Sequence, residues 1–339
     1  MIGRMSNPED LRSLVTGFRI SSALGVAAEL GLSDELADGP RTVTDLAASV
    51  AADPDSLYRL LRALATVGVY DEHPDQVFAN TALGEGLRTG VPGSMRPLAR
   101  TLNDPALWSA WGHLAHSVRT GDNAFEALHG IDIWTHRERR PEQNAIFNDN
   151  MTALSSLVAR EVAEAYDFAD VSSVVDVGGG QGILLEAILD RNPSLTGTVF
   201  DQAHAVAKAP TPNASESIAS RWNTAVGDFF EAVPGADAYV LKSILHDWPD
   251  GPCIEILRTC RRSLHEGGVV LVVEMVLGRE GLEADSAFSD LNMLVLPGGR
   301  ERSEQEYAAL FAAADLSLTR VVHTRTRSSV LEARTRQPG

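Results

Sequence analysis

From about residue 170 onward, short apolar runs alternate with amphipathic ones, and this alternation constrains the fold more than any other feature of the chain. The runs read VSSVVDVGGG, GILLEAILDRNP, LTGTVFDQ, ADAYVLKSILHDW, CIEILRTCRRSL, GGVVLVVEMVL, EQEYAALFAAAD, LTRVVHTRT and SSVLEART. Strands separated by helices form βαβ units, and such units build a parallel sheet with both faces covered. The last two strand-like runs have no helix between them, so one of the two is expected to run antiparallel. The fold class expected here is α/β.

The first half of the chain has helical rather than alternating periodicity. DLRSLVTGFRISSALGVAAELGL places Leu11, Leu14, Val15 and Phe18, then Ala23, Leu24, Ala27 and Leu30, at helical spacing, with Gly31 as the stop. TVTDLAASVAADPDSLYRLLRALATVGVYDE predicts two short helices with Thr42 and Asp55 as N-caps. Extended segments follow near Val69 and over 77–79. Three helices and a small hairpin make a winged-helix pattern, which either reads DNA with its second helix or serves as a packing and dimerisation module. That helix carries only Arg59 and Arg62 as basic residues, and the formal net charge is −17. Such a surface repels phosphate backbones and anionic lipid, so no nucleic acid and no membrane are expected as partners. Between 84 and 166 the chain concentrates Trp108, Trp111, His113, His116, Phe125, Trp134, Phe147 and Met151. This set forms either a core or the lining of a pocket for a flat apolar ligand.

No apolar run approaches the roughly 18 residues that span a bilayer, and VVLVVEMVL contains Glu274. MIGRMSNPED has no apolar signal core, so a cytoplasmic protein is expected. Cys253 and Cys260 read as reduced thiols on one helix, not as a disulfide framework or a zinc site.

VVDVGGGQG sets Gly178, Gly179, Gly180 and Gly182 between a strand and a helix starting near Ile183. The segment is either a tight βα turn or a turn that lets a ligand approach the backbone at a helix N-terminus. Asp201 ends the next strand roughly 20 residues on, where a nucleotide ribose is held, yet the spacing is G-x-G-x-G and not the dinucleotide pattern. Asp228, in AVGDFF, follows the third strand. Asp176, Asp201 and Asp228 therefore fall at the carboxyl ends of successive strands, the ligand edge of an open α/β sheet. Three acids beside Gly178 and Gly180 suit a ligand with a positive charge, a ribose and an adenine amine. S-adenosylmethionine has all three.

LKSILHDWPD reads as the fourth strand, AYVLKSIL, with His246 in the loop beyond it. That imidazole is either a general base or a structural histidine beside the core. Glu274, expected to end the fifth strand, and Glu301, in LPGGRERS, are placed either to accept from one ring nitrogen or to pair on the surface with Arg300 or Arg302. Lys208 and Lys242 are the only lysines.

The chain resembles the small-molecule O-methyltransferases of the plant caffeate type and their bacterial relatives in polyketide antibiotic pathways. The resemblance covers nearly the whole length and rests on the N-terminal region, DVGGGQG, GDFF, LKSILHDW and DLNMLVLPGGRERS. It implies a Rossmann-like, seven-stranded S-adenosylmethionine-dependent methyltransferase sheet with an antiparallel last strand, plus a mostly helical N-terminal winged-helix and dimerisation domain. The implied division is 1–95 for dimerisation and winged helix, 96–166 for a helical linker and substrate-pocket region, and 167–336 for the cofactor-binding catalytic domain. A homodimer is implied, with interlocked N-terminal helices. By position, Gly178 lies in the cofactor loop, Asp201 matches the ribose acid, Asp228 and Phe229 match the adenine pair, and Lys242 matches a lysine near the cofactor. His246 matches the catalytic base, and Glu274 and Glu301 match its flanking acids. His113, Phe147, Met151 and Met293 fall where the acceptor pocket is lined, Asp247 is placed to orient the acceptor, and Trp248 to wall the site. Gln181 and Pro249 depart from the family pattern, where a small hydroxyl residue and a serine are common.

The resemblance implies that His246 deprotonates an aromatic hydroxyl, whose oxygen then attacks the sulfonium methyl in line, without a metal. Two other readings stand beside it. One is a relative that methylates nitrogen or carries out hydroxylation or decarboxylation. The other is a winged-helix regulator that senses the cofactor.

Overall fold

The computed structural model describes residues 7–206 and 216–336, which leaves Lys208 outside the described residues. The chain divides into two units: Met1–Ser109 with Arg137–Ala153, and Ala110–His136 with Leu154–Gly339.

The first unit holds helices Pro8–Thr16, Phe18–Leu30, Leu32–Glu35, Val43–Ser49 and Pro54–Ala65, and strands β1 (Arg41–Thr42), β2 (Tyr70–His73) and β3 (Val77–Asn80). The strands pair antiparallel in the order β1-β3-β2, which completes the winged-helix pattern. Leu46, Leu57, Leu61, Leu64, Tyr70 and Phe78 form its core. Gly31 ends the helix Phe18–Leu30 at φ 67°, a left-handed position that suits glycine. Thr42 caps Val43–Ser49 by accepting from the Asp45 N–H. The next cap is Asp53, not Asp55: its carboxylate accepts from the Ser56 N–H at 2.9 Å. Pro54 takes the first helical position, where its fixed φ fits, and this moves Asp55 inside the first turn. The apolar stripe of the N-terminal stretch splits in character. Ala27 and Ala28 are buried, whereas Leu11, Leu14, Val15 and Phe18 are each at least 55% exposed.

The second unit is built on strands β4 (Ser173–Val177), β5 (Thr196–Asp201), β6 (Trp222–Val226), β7 (Ala236–Lys242), β8 (Leu264–Leu277), β9 (Arg302–Ser303), β10 (Leu316–His323) and β11 (Ser328–Thr335). Seven of them run in the order β10-β11-β8-β7-β4-β5-β6, with the short β9 bridged to β8. β11 is antiparallel to both its neighbours, as the missing helix between the last two strands predicts. The central strands are apolar without alternation because both faces are covered. Val175, Tyr239, Leu241, Val270 and Val272 face one layer with Ile256, Leu257, Cys260, Tyr307 and Phe311. Val174, Ala238, Val240, Val269, Leu271 and Val273 face the other with Leu184, Leu185, Ile188 and Val162. Neighbouring residues on each strand thus belong to opposite cores. Cys253 and Cys260 are free and buried on the helix Asp250–Ser263.

Two strand ends differ from expectation. The fourth strand stops at Lys242, short of Ser243–Leu245, because Ser243 turns to φ 55° and the chain leaves the ladder. The fifth strand does not end at Glu274. It continues to Leu277, since β11 supplies partners to Met275 and β9 pairs Val276 with Arg302. Glu274 is therefore held inside a ladder and not at a fraying end. Among the described residues no helix is long and apolar enough to cross a membrane.

Candidate active site

The site grows from the carboxyl edge of the parallel strands. Beyond Val177 the chain turns before the helix Ile183–Arg191. The N–H groups of Gly178 and Gly179 donate to the Phe200 carbonyl, at 2.8 and 3.4 Å, and Gly180 donates to Asp201 Oδ2 at 2.9 Å. Asp201 Oδ1 accepts from the Gln202 N–H. These bonds tie the turn to β5. A Cβ at Gly178 (φ 67°) would lie 2.4 Å from Ile244 Cδ1, whereas one at Gly180 (φ 56°) would meet no atom within 4 Å. The backbone is therefore packed against the base-bearing loop at Gly178 and open at Gly180.

Asp176 lies beneath this turn, 2% exposed, with Oδ2 buried and without a hydrogen-bond partner among the described residues. Burial lifts its pKa to about 7, against the pull of Lys242. Burial also lowers the pKa of Lys242, which Asp176, Glu274 and Asp247 oppose. This lysine thus sits in the field of both the glycine turn and the His246 loop. Asp228 accepts from the Phe230 N–H at 2.8 Å. The Phe229 and Phe230 rings are 5.0 Å apart, and Trp248 crosses Phe230 edge-on at 5.0 Å and Phe229 at 6.4 Å. Acids, an orphaned buried carboxylate oxygen, an open glycine and an aromatic wall converge on one edge, and this donor set fits an adenosyl ligand that carries a positive charge.

His246 sits on a single 3-10 turn, Leu245–Asp247. Glu274 Oε1 accepts from the N–H groups of Ile244, Leu245 and His246 at 3.0, 3.0 and 3.4 Å, which fixes the start of that turn. Its Oε2 lies 3.4 Å from the ring Nδ1. Glu301 Oε1 lies 3.1 Å from the same Nδ1 and accepts the Ser289 hydroxyl at 2.7 Å, while Asp290 takes the Glu301 N–H. On the other side of the ring, Nε2 is 3.7 Å from Asp247 Oδ1. The two glutamate side chains are 1% exposed and the imidazole 18%. Burial works against a charged ring, but the carboxylates of Glu274, Asp247 and Glu301 outweigh it and raise the His246 pKa. Burial likewise pushes the Glu274 pKa up. The nearest ligand-type atoms of His246, Glu274 and Glu301 lie within 4.8 Å of one another.

The expected alternative, surface pairing of these glutamates with Arg300 or Arg302, is not found. Arg300 pairs with Glu306, and Arg302 is a buried side chain that bonds Asp250. His113 stacks on His116 at 5.3 Å and is exposed. Met293 is half-buried on the helix Glu283–Val295, whose Asn292 accepts from Trp111 Nε1 at 3.2 Å. Phe147 and Met151 belong to the first unit, where the Arg137 guanidinium lies 3.5 Å from the Phe147 ring centre. Sequence reasoning passed over Ser289 and Asp290 and considered Arg302 only as a surface partner of the glutamates. The motif DLNMLVLPGGRERS contains Asp290 and Arg302, but neither spacing nor residue type shows that Asp290 braces Glu301 or that Arg302 is buried.

Residues 111–317 match an O-methyltransferase domain and residues 13–89 an O-methyltransferase dimerisation domain. The chain is 39% identical to the phenazine O-methyltransferase PhzM of Lysobacter antibioticus over 96% of its own length and 95% of that protein's. It is 34% identical to the 8-amino-8-demethylriboflavin N,N-dimethyltransferase of Streptomyces davaonensis, over 93% of this chain and 92% of that one. The O-methyltransferase NcsB1 of neocarzinostatin biosynthesis, solved with S-adenosylmethionine and 2-hydroxy-5-methyl naphthoic acid, superposes with a TM-score of 0.80 at 35% identity, over 93% of this chain and 96% of that one. The fold and site define an α/β enzyme that uses S-adenosylmethionine. The chain belongs to the S-adenosylmethionine-dependent O-methyltransferases.

Gly299 tests how tightly the His246 turn is held. A Cβ there would lie 2.0 Å from the His246 carbonyl oxygen and 2.7 Å from the Asp247 carbonyl carbon. Gly299→Ala is expected to lower kcat by about tenfold or more, since small misplacements of a reacting group are costly. Steady-state kinetics beside a thermal melt checks this, and a wild-type kcat would show that the turn tolerates displacement.

Proposed function

We propose that this enzyme methylates a hydroxyl group of a small aromatic natural product, with His246 as general base. The observation that carries this reading is the two-sided setting of the ring. Nδ1 faces Glu301 and Glu274 at 3.1 and 3.4 Å, while Nε2 faces Asp247, at 3.7 Å. A histidine whose Nδ1 is held by carboxylates can take a proton at Nε2 and keep it as a stabilised imidazolium. The phenazine relative and the naphthoic acid complex support an aromatic acceptor. A phenol titrates near 10 and is mostly neutral at pH 7, so a base beside its oxygen matters.

When bound, S-adenosylmethionine supplies an activated methyl group on a sulfonium. Asp201 is assigned to the ribose hydroxyls and Asp228 with Phe229 to the adenine. Asp176, Gly178, Gly180 and Lys242 are assigned to the rest of the cofactor side. His113, Asp247 and Met293 are assigned to the acceptor side. The charge of −17 argues against a polyanion partner. The dimerisation-domain match and the exposed Leu11, Leu14, Val15 and Phe18 support a homodimer joined through the N-terminal helices. An aromatic amine acceptor is the second reading, supported by the riboflavin N,N-dimethyltransferase relative.

His246→Ala is expected to lower turnover of a phenolic acceptor at least 100-fold, within the usual range for removal of a general base. Its affinity for S-adenosylmethionine, measured by calorimetry, is expected to stay within a few-fold. Full turnover would move the base elsewhere. An amine acceptor would lose far less, because a neutral amine attacks without prior deprotonation. In Glu301→Gln one of the charges that raises the His246 pKa is gone. The acidic limb of the kcat/KM profile, below which the base is protonated, should therefore move to lower pH, and an unmoved limb would detach Glu301 from the base. Light scattering should give twice the monomer mass, and Phe18→Asp should reduce it to one. A wild-type monomer would remove the dimer from this account.

A further inference from the structure

We propose that Arg302 is a positioning residue for His246: its buried guanidinium fixes the backbone of the turn that carries the ring, with the Cys253 thiol as a second support. The inference rests on the reading of His246 as the base. The turn Leu245–Asp247 follows Ser243 at φ 55° and ends at an extended Trp248. A single 3-10 turn has poor hydrogen-bond geometry and little stability of its own. Its orientation must come from side chains around it.

Glu274 holds the N–H side of this turn, and Arg302 holds the carbonyl side. Arg302 Nη1 donates to the Leu245 carbonyl at 3.0 Å and Nη2 to the Trp248 carbonyl at 2.8 Å. Those two carbonyls bracket His246. Nε and Nη2 both reach Asp250 Oδ1, at 3.0 and 2.8 Å, and Nη1 also reaches the Arg300 carbonyl at 3.4 Å. The Cys253 thiol lies 3.1 Å from the Leu245 carbonyl and 3.4 Å from that of Trp248, so its single hydrogen serves one of them at a time.

An ion pair alone does not account for this arrangement. The Arg302 side chain is 1% exposed while its partner Asp250 is 57% exposed. Burying a guanidinium is costly unless its donors are satisfied, and here three of its five bonds end on backbone carbonyls. The planar fork matches two carbonyls and a carboxylate at once, which a lysine cannot do. Arg302 is also bridged to Val276 of β8, two residues past Glu274, and follows Glu301 directly. One anchored segment thus presents Glu301 to the ring and Arg302 to the backbone beneath it. The ring's partner and the ring's support are held in a single register.

Arg302→Lys keeps the charge and loses the fork. It is expected to lower kcat about tenfold with the cofactor KM within twofold, and to shift the His246 imidazole signal in a 15N-histidine spectrum of the ligand-free protein. In a His246→Ala background the same substitution is expected to add less than twofold, because residues that act through one group are not additive. A loss that persists in full in that background overturns the positioning role and leaves the base reading standing. If His246→Ala keeps full turnover, the base reading fails instead, and an unmoved imidazole signal in Arg302→Lys then overturns the positioning role separately. If Arg302→Lys does not fold, Cys253→Ala and Cys253→Ser decide. A kcat lowered about threefold by alanine and restored by serine supports the role, and a wild-type kcat with an unshifted imidazole signal in Cys253→Ala overturns it.

Discussion

An imidazole set beside two carboxylates that are each 1% exposed is the constraint that organises the catalytic unit. Buried charges are tolerated only when paired and hydrogen-bonded. Each member here meets that condition through a different element. Glu274 comes from the interior of β8 and spends one oxygen on three backbone N–H groups. Glu301 comes from the segment before β9 and is braced by Ser289 and Asp290. The ring itself rides on the loop after β7. Three segments far apart in the chain must therefore hold a common register, and the ladder from β7 through β8 to β9 provides it.

The glycine turn belongs to the same edge because the strand order places β4 beside β7 and β5. Gly178 packs against Ile244, the residue just before the His246 turn. Cofactor loop and base loop touch at that point, which gives a physical reason for glycine at 178. Lys242, the last residue of β7, lies where the fields of Asp176, Glu274 and Asp247 overlap. Its desolvation and its three acidic neighbours are one electrostatic system with the ring.

Much of this was legible in the sequence. The alternation after residue 170 gave the parallel sheet, the missing last helix gave the antiparallel strand, and DVGGGQG with LKSILHDW pointed to the two loops that meet. The misreadings share a cause. Asp55 looks like a cap until Pro54 claims the first helical position and Asp53 becomes the flanking residue. Glu274 looks like a strand end until β11 and β9 extend the ladder beyond it. Arg302 looks like a surface charge until its own neighbours bury it. In each case a local signal was overridden by a partner, either adjacent or remote.

Strand and helix identity, the glycine turn and the residue types of the site were determined by the sequence alone, because periodicity and turn chemistry are local properties. Which carboxylate faces which ring nitrogen, which arginine is buried and which serine braces Glu301 were decided only by the tertiary structure. Those pairings depend on the register of strands separated by dozens of residues, and in a fully packed core a distance of a few ångströms separates a charged partner from a bystander.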